Sequence, residues 1–137
     1  MARCNWLWLV LLVLLFTECH RAEPLPDLFV ETIAGVWHRT ALERPLVSDA
    51  PDPVPRSAVE QFETATYEGP GKLQVRVYAL DSAAVALELV QRWRPSADTV
   101  FFYRGRYFVV LKWQDADRKA LEAFMAEMEK RLGKPKE

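Results

Sequence analysis

Residues 59–78 read VEQFETATYEGPGKLQVRVY, and this stretch predicts a β-hairpin. Its first half is rich in β-branched and aromatic residues, which favour strands. The residues EGPG at 68–71 supply the turn, and the residues LQVRVY at 73–78 then alternate between apolar and polar. Because successive side chains of a strand point to opposite faces, this alternation predicts a strand with one buried face.

Four further strands are predicted around this hairpin. One precedes it at residues 33–42, and two follow at 99–103 and 107–113, joined by the tight turn RGR at 104–106. Residues 85–93, VALELVQRW, alternate in a similar way and predict a strand, although their Ala, Leu, Glu and Gln content also suits a helix. The sequence therefore predicts a mainly β fold of about six antiparallel strands.

A long loop and a terminal helix complete the predicted domain. Residues 43–56 contain four prolines, which exclude regular strand pairing and predict one loop. After residue 113, apolar residues at intervals of three and four predict an amphipathic helix. Asp115 or Asp117 can cap its N-terminus, and Gly133 can end it. The apolar stripe consists of Leu121, Phe124, Met125, Met128 and Leu132.

Residues 1–19 predict a secretory signal peptide, because a basic residue precedes the uninterrupted apolar run at residues 6–16. We expect cleavage after Cys19, with Ala22 as the alternative, which leaves one domain at residues 20–137. The apolar run is shorter than the roughly 20 residues that a membrane-spanning helix needs, so no stable membrane anchoring is expected. The expected location is extracellular.

Composition excludes several classes of function. The net charge is −1 with acidic and basic residues interspersed, so no nucleic-acid partner is expected. Cys4 and Cys19 both lie in the predicted signal, and His20 and His38 form no cluster with other metal ligands. No serine lies in a nucleophile motif. We therefore predict a protein that is not an enzyme and has no catalytic residue, metal or cofactor.

The run IAGVWH at residues 33–38 resembles the first signature of the lipocalins, in which Gly-x-Trp opens the first strand. Residues 62–75 look like the hairpin of strands B and C in that family, and residues 117–124 look like its C-terminal helix. The resemblance implies an antiparallel β-barrel with the helix packed outside, Trp37 at its closed end and the loop at 43–56 over its mouth. Lipocalin barrels have eight strands, so about six strands predict an incomplete barrel.

Several features of the lipocalin pattern are missing from this sequence. The Thr-Asp-Tyr signature has no match, and no arginine before the final helix falls clearly in the family's position. The family's common disulfide cannot form in a mature chain without cysteine. The prostaglandin-isomerase activity of some members depends on a cysteine, so that branch of the family is excluded.

Lipocalin barrels hold a small hydrophobic molecule, and a small barrel has room either for one such ligand or for its own side chains. The resemblance therefore implies a secreted carrier of a lipid, a retinoid or an odorant-like molecule, as a monomer or weak dimer. The alternative is a secreted interaction module that has no cavity and whose open sheet edges pair with another protein. The residues predicted to line the interior are Trp37, Val75, Val77, Val85, Leu87, Leu89, Phe102, Tyr107 and Val109.

Overall fold

The computed structural model describes residues 24–51, 54–94 and 96–133, so the predicted signal peptide lies outside the described residues. Within these ranges the chain forms six strands and two α-helices. The strands form one antiparallel sheet in the order β1-β2-β3-β4-β6-β5, which is curled into a half-barrel. The elements are β1 (Thr32–Ile33), β2 (Trp37–Glu43), β3 (Val59–Gly69), β4 (Gly71–Leu80), α1 (Ala83–Arg92), β5 (Thr99–Arg104), β6 (Tyr107–Gln114) and α2 (Arg118–Leu132).

The hairpin predicted from residues 59–78 is confirmed. β3 and β4 pair along almost their whole length, from Val59 opposite Leu80 to Gly69 opposite Gly71. The tight turn predicted between β5 and β6 is also present, and β6 rather than β5 pairs with β4. The mainly β, antiparallel fold with a C-terminal helix is therefore confirmed, with β5 at one edge of the sheet.

The first predicted strand, residues 33–42, is interrupted. Ala34 and Gly35 have φ values of 51° and 72°, in the left-handed region that a strand cannot contain. They form a turn that brings Ile33 opposite Trp37, so that β1 and β2 make a short hairpin. Gly35 therefore belongs to a turn, and Trp37 is the first residue of β2.

Residues 83–92 form α1, so the strand predicted at 85–93 was wrong. Ser82 caps the helix, because its hydroxyl oxygen accepts a hydrogen bond from the backbone N–H three residues later, at 3.4 Å. The buried residues of α1 are Ala86 and Leu89, which are three apart and lie on one side of a helix. The small side chain of Ala86 hid this helical spacing in the sequence.

Other elements pack against both faces of the sheet. We name the face that carries Val75 and Val109 the front face, and α2 packs against it. We name the face that carries Tyr78 and Phe108 the back face, and α1 packs against it together with the loop between β2 and β3. A helix, and not a further strand, follows β4 and covers part of the back face.

Two hydrogen bonds at Ala120 hold the first turn of α2. Asp117 accepts a hydrogen bond from the backbone N–H of Ala120 at 2.9 Å. The carbonyl oxygen of Ala120 in turn accepts a hydrogen bond from the indole N–H of Trp37 at 3.0 Å. Asp115 and Asp117 were both predicted as possible N-terminal caps, and Asp117 is the residue that caps the helix. The helix ends at Gly133, as predicted.

Replacing Asp117 with alanine is expected to lower the free energy of unfolding by about 1 kcal/mol, because a helix N–H loses its acceptor. Urea denaturation followed by circular dichroism measures this loss. Asp117→Asn keeps a side-chain oxygen and is the matched control, with a loss of less than half as much expected. Equal losses in the two variants would contradict the capping role.

Candidate functional site

Six of the nine residues predicted to line a ligand cavity come together on the front face. They are Trp37, Val75, Val77, Phe102, Tyr107 and Val109. Leu121, Phe124 and Met128 of α2 belong to the same cluster and cover these residues. The six residues were predicted to line the inside of a barrel, and the helix was predicted to pack outside it. In the structure α2 packs against the six residues themselves, so the helix covers them.

Aromatic side chains fill the centre of this cluster. Trp37 is fully buried and meets the ring of Phe124 edge-on, with 6.1 Å between the ring centroids. Tyr67 meets the same ring at 5.1 Å and donates its hydroxyl hydrogen to the carbonyl of Val30 at 2.9 Å. Burial raises the pKa of Tyr67 to about 12, against the opposing effect of Arg39. The residues around Trp37 therefore form a packed core.

The other three predicted residues lie elsewhere. Val85, Leu87 and Leu89 belong to α1, so they do not alternate into an interior as strand residues would. Leu89 is buried in the back-face cluster, with Val85 packed against it. Leu87 is 42% exposed on the far side of the helix. The sheet therefore separates these three residues from the six on the front face.

An open apolar groove lies where the edge of the sheet meets α2. Its volume is about 510 Å³. β5 and β6 contribute the sheet side of the groove, α2 contributes the opposite side, and the loop between β6 and α2 contributes one end. The lining residues are Val100, Trp113, Ala116, Arg118, Leu121, Glu122 and Met125.

Hydrogen bonds hold the groove residues in place. The backbone N–H of Trp113 donates to the carbonyl of Asp98 at 2.9 Å, which ties the end of β6 to the start of β5. The backbone N–H of Asp117 donates to the carbonyl of Pro70 at 3.0 Å. The turn between β3 and β4 therefore supports the loop that carries Ala116, at the end of the groove.

The charged residues of the groove lie at its rim. The Nε atom of Arg118 and the Oε1 atom of Glu122 are 3.1 Å apart, and their side chains are 91% and 62% exposed. An exposed ion pair of this kind contributes little to stability, because water screens it. The two charges neutralise one another, so the groove presents its apolar lining to a ligand without a net charge at the rim.

None of the nine predicted residues lines this groove. Met125 was predicted as a member of the apolar stripe of the helix. In the structure Met128 is fully buried, whereas Met125 at the border of the stripe is half-buried and reaches the groove. The position of Met125 at the border of the apolar stripe was the available signal in the sequence. That position does not show which residues of the sheet lie opposite it.

The described residues contain no group of three or more His, Cys, Asp or Glu side chains that could hold a metal ion. Neither helix of the described ranges is long and apolar enough to cross a membrane. Comparison with protein-family models, curated proteins and solved structures gives no match. Fold and site together define a mainly β protein with a curled, six-stranded antiparallel sheet, a C-terminal helix and an open apolar groove.

Proposed function

We propose that this protein is a secreted, lipocalin-like carrier that binds a small hydrophobic molecule in the groove between the sheet edge and α2. The observation that supports the proposal is the volume of about 510 Å³ with a largely apolar lining. Binding sites for small molecules have volumes of roughly 300–1,000 Å³ and are mostly apolar. Burial of apolar ligand surface beside Trp113, Leu121 and Met125 supplies the binding free energy.

The proposed binding site differs from the barrel interior of a lipocalin. The cluster around Trp37 occupies the place where the resemblance implies a ligand, because α2 covers the front face. The Gly-x-Trp run at residues 33–38 and the order of hairpin and helix support the lipocalin-like part of the proposal. One side of the groove is open to water, so binding is expected to be weaker than in an enclosed barrel.

Met125→Gln is expected to weaken the binding of a fluorescent fatty-acid probe roughly tenfold, because a half-buried apolar side chain that contacts the ligand becomes polar. The affinity is measured by titrating the purified chain with the probe and following probe fluorescence. Circular dichroism checks that the variant is folded.

Leu46→Gln is the matched control for Met125→Gln. Leu46 is 72% exposed in the loop between β2 and β3 and does not line the groove. This variant removes a comparable apolar side chain and is expected to bind the probe within about twofold of the parent chain. Equal weakening of probe binding by Leu46→Gln and Met125→Gln would overturn the proposal that the groove is the binding site. The absence of saturable probe binding by the monomeric chain would also overturn it.

The free edge of β5 favours a second candidate function, a protein-interaction module. No strand of the described residues pairs with the outer edge of β5, and residues 99–104 contain no proline or acidic residue to block pairing. An extended peptide of a partner protein would add there as a further strand through backbone hydrogen bonds. This function would be favoured over the carrier by two results together. The purified chain would not bind the probe, and Met125→Gln would leave the binding of a partner protein unchanged.

A further inference from the structure

A second pocket lies on the back face, beyond the C-terminal end of α1. Its volume is about 310 Å³. Three basic side chains line it: Arg76 from β4, Arg94 from the segment after α1, and Lys112 from β6. The hydroxyl-bearing residues Ser96 and Thr99 lie between them. The pocket is therefore formed by a part of the sheet that α1 leaves uncovered.

The position of Arg76 is unusual among the arginines of this chain. Four arginines in the described ranges are half-buried: Arg39, Arg76, Arg106 and Arg131. Arg39 donates to a backbone carbonyl, and Arg106 and Arg131 each lie beside a glutamate. Among the described residues Arg76 has no partner of either kind, and its hydrogen bond is to the side-chain oxygen of Gln74 at 3.5 Å. A partly desolvated guanidinium without an anion favours binding of one.

A second polar group, the hydroxyl of Tyr78, lies beside Arg76. Tyr78 is two residues further along β4 on the same face, and its buried hydroxyl makes no hydrogen bond within the described ranges. Burial raises the pKa of Tyr78, and the nearby Arg76 cation opposes that rise. The Arg76 guanidinium therefore lies close to this hydroxyl and interacts with it, on the same face of the sheet as the pocket.

The charges around the pocket leave an excess of positive charge. Asp98 lies 3.7 Å from the Nζ atom of Lys112. Its Oδ1 atom accepts hydrogen bonds from Ser96 at 2.9 Å and Thr99 at 3.1 Å. The Ser96 hydrogen bond is the main cause that holds the pKa of Asp98 below its ordinary value, so this residue is a carboxylate at neutral pH. Asp98 pairs with Lys112 alone, which leaves Arg76 and Arg94 without an ion-pair partner in the described residues.

We propose that this pocket binds a small organic oxyanion, whose carboxylate or phosphate group is held by Arg76, Arg94 and Lys112. Guanidinium groups present several N–H donors in a planar fork that matches the oxygens of such anions. Trp93 and Val110 also line the pocket and provide an apolar surface for the remainder of the molecule. The stacking of Trp93 on Phe101, at 5.5 Å, fixes the orientation of the indole. This site is separate from the groove at α2 and does not depend on the carrier proposal.

Isothermal titration calorimetry of the purified chain with acetate, benzoate and inorganic phosphate tests the site. Saturable binding is expected, with benzoate stronger than acetate if a carboxylate with an apolar body is the preferred class. Phosphate stronger than both identifies a phosphate group as the preferred anion. Absence of saturation by all three ions up to about 10 mM, which corresponds to a binding free energy of less than about 3 kcal/mol, would overturn the proposal.

Arg76→Gln is expected to weaken binding roughly tenfold or more, and Arg94→Gln severalfold, because each removes charged donors to the anion. Arg44→Gln is the matched control, since Arg44 is 73% exposed and pairs with Glu63 outside the pocket. It removes the same charge and is expected to change the affinity less than about twofold. An equal effect of Arg44→Gln and Arg76→Gln would show general charge attraction and overturn the site. Arg94 is exposed, so its variant provides the test if Arg76→Gln does not fold.

A further variant is expected to act in the opposite direction. Asp98→Asn removes the carboxylate that competes with the ligand for Lys112, so binding is expected to become about threefold tighter. A gain in affinity cannot come from partial unfolding, which separates the proposed role from a structural one. Unchanged or weaker binding by Asp98→Asn would contradict the arrangement of charges.

Discussion

Replacing Trp37 with alanine is expected to lower the free energy of unfolding by about 3–5 kcal/mol. The indole is fully buried, packs against Phe124 and donates a hydrogen bond to the carbonyl of Ala120. Alanine leaves a cavity between the sheet and α2 and removes the hydrogen-bond donor. Because small domains are stable by only about 5–15 kcal/mol, this single change is expected to leave the fold marginal.

Guanidinium chloride unfolding followed by far-ultraviolet circular dichroism measures this effect. Trp37→Phe is the matched comparison, because it keeps an aromatic ring beside Phe124 but lacks the N–H group. Its expected loss is about 1–2 kcal/mol. If the alanine variant does not fold, the phenylalanine variant still reports the value of the hydrogen bond and of the lost ring volume. An alanine variant as stable as the phenylalanine variant would contradict the packing around Trp37.

The role of Trp37 shows where sequence reasoning succeeded and where it failed. The motif placed Trp37 at the closed end of a barrel and among the residues that line its interior, and in the structure this residue is completely buried. The surroundings implied by the lipocalin resemblance were different, because the sequence does not record which face of the sheet α2 covers. That choice depends on contacts such as the hydrogen bond from Trp37 to Ala120, which joins residues 83 positions apart.

The β3–β4 hairpin and α2 could be predicted because their signals are local. Alternation and turn residues determine the hairpin, and the spacing of apolar residues with a capping aspartate determines the helix. α1 was missed because Val85, Leu87 and Leu89 alternate over the same positions that have helix-favouring composition. The pairing of β4 with β6, which leaves β5 at the edge, is a long-range choice that no local pattern records.

The difference between local and long-range signals also explains which residues of the sites could be predicted. Val75, Val77 and Val109 share one face and one cluster, because alternation places each strand's apolar residues on one face. The groove combines the edge strands with a helix, and the back-face pocket combines three strands with the segment after α1. Neither combination can be predicted before the strand order and the position of α1 are known.

Gly71→Ala is expected to lower the free energy of unfolding by about 3 kcal/mol, from backbone strain and steric overlap together. Gly71 has a φ of +146°, which residues with a side chain rarely adopt. A Cβ atom at this position would lie 2.6 Å from the Cα atom of Ala116 and 2.6 Å from the carbonyl oxygen of Asp115. Both contacts are with backbone, so rotation of a side chain cannot relieve them. Urea denaturation measures the loss.

Gly35→Ala is the matched control, because it separates strain from steric overlap. Gly35 also has a positive φ, of +72°, but a Cβ atom there would meet nothing within 4 Å. Its expected cost is about 1–2 kcal/mol, which is the strain of the left-handed conformation alone. A cost for Gly71→Ala no larger than that for Gly35→Ala would contradict the close approach of the β3–β4 turn to the loop between β6 and α2.

Gly71→Ala is also expected to weaken binding of the fluorescent fatty-acid probe, although Gly71 does not line the groove. Ala116 forms the end of the groove, and it cannot stay in place if a methyl group enters the space beside it. The hydrogen bond from Asp117 to the carbonyl of Pro70 couples the same turn to the start of α2. Probe titration in the absence of denaturant, where both glycine variants are folded, compares them directly. Because Gly35 lies outside the groove lining, reduced binding by Gly71→Ala and unchanged binding by Gly35→Ala would show that the turn between β3 and β4 shapes the groove.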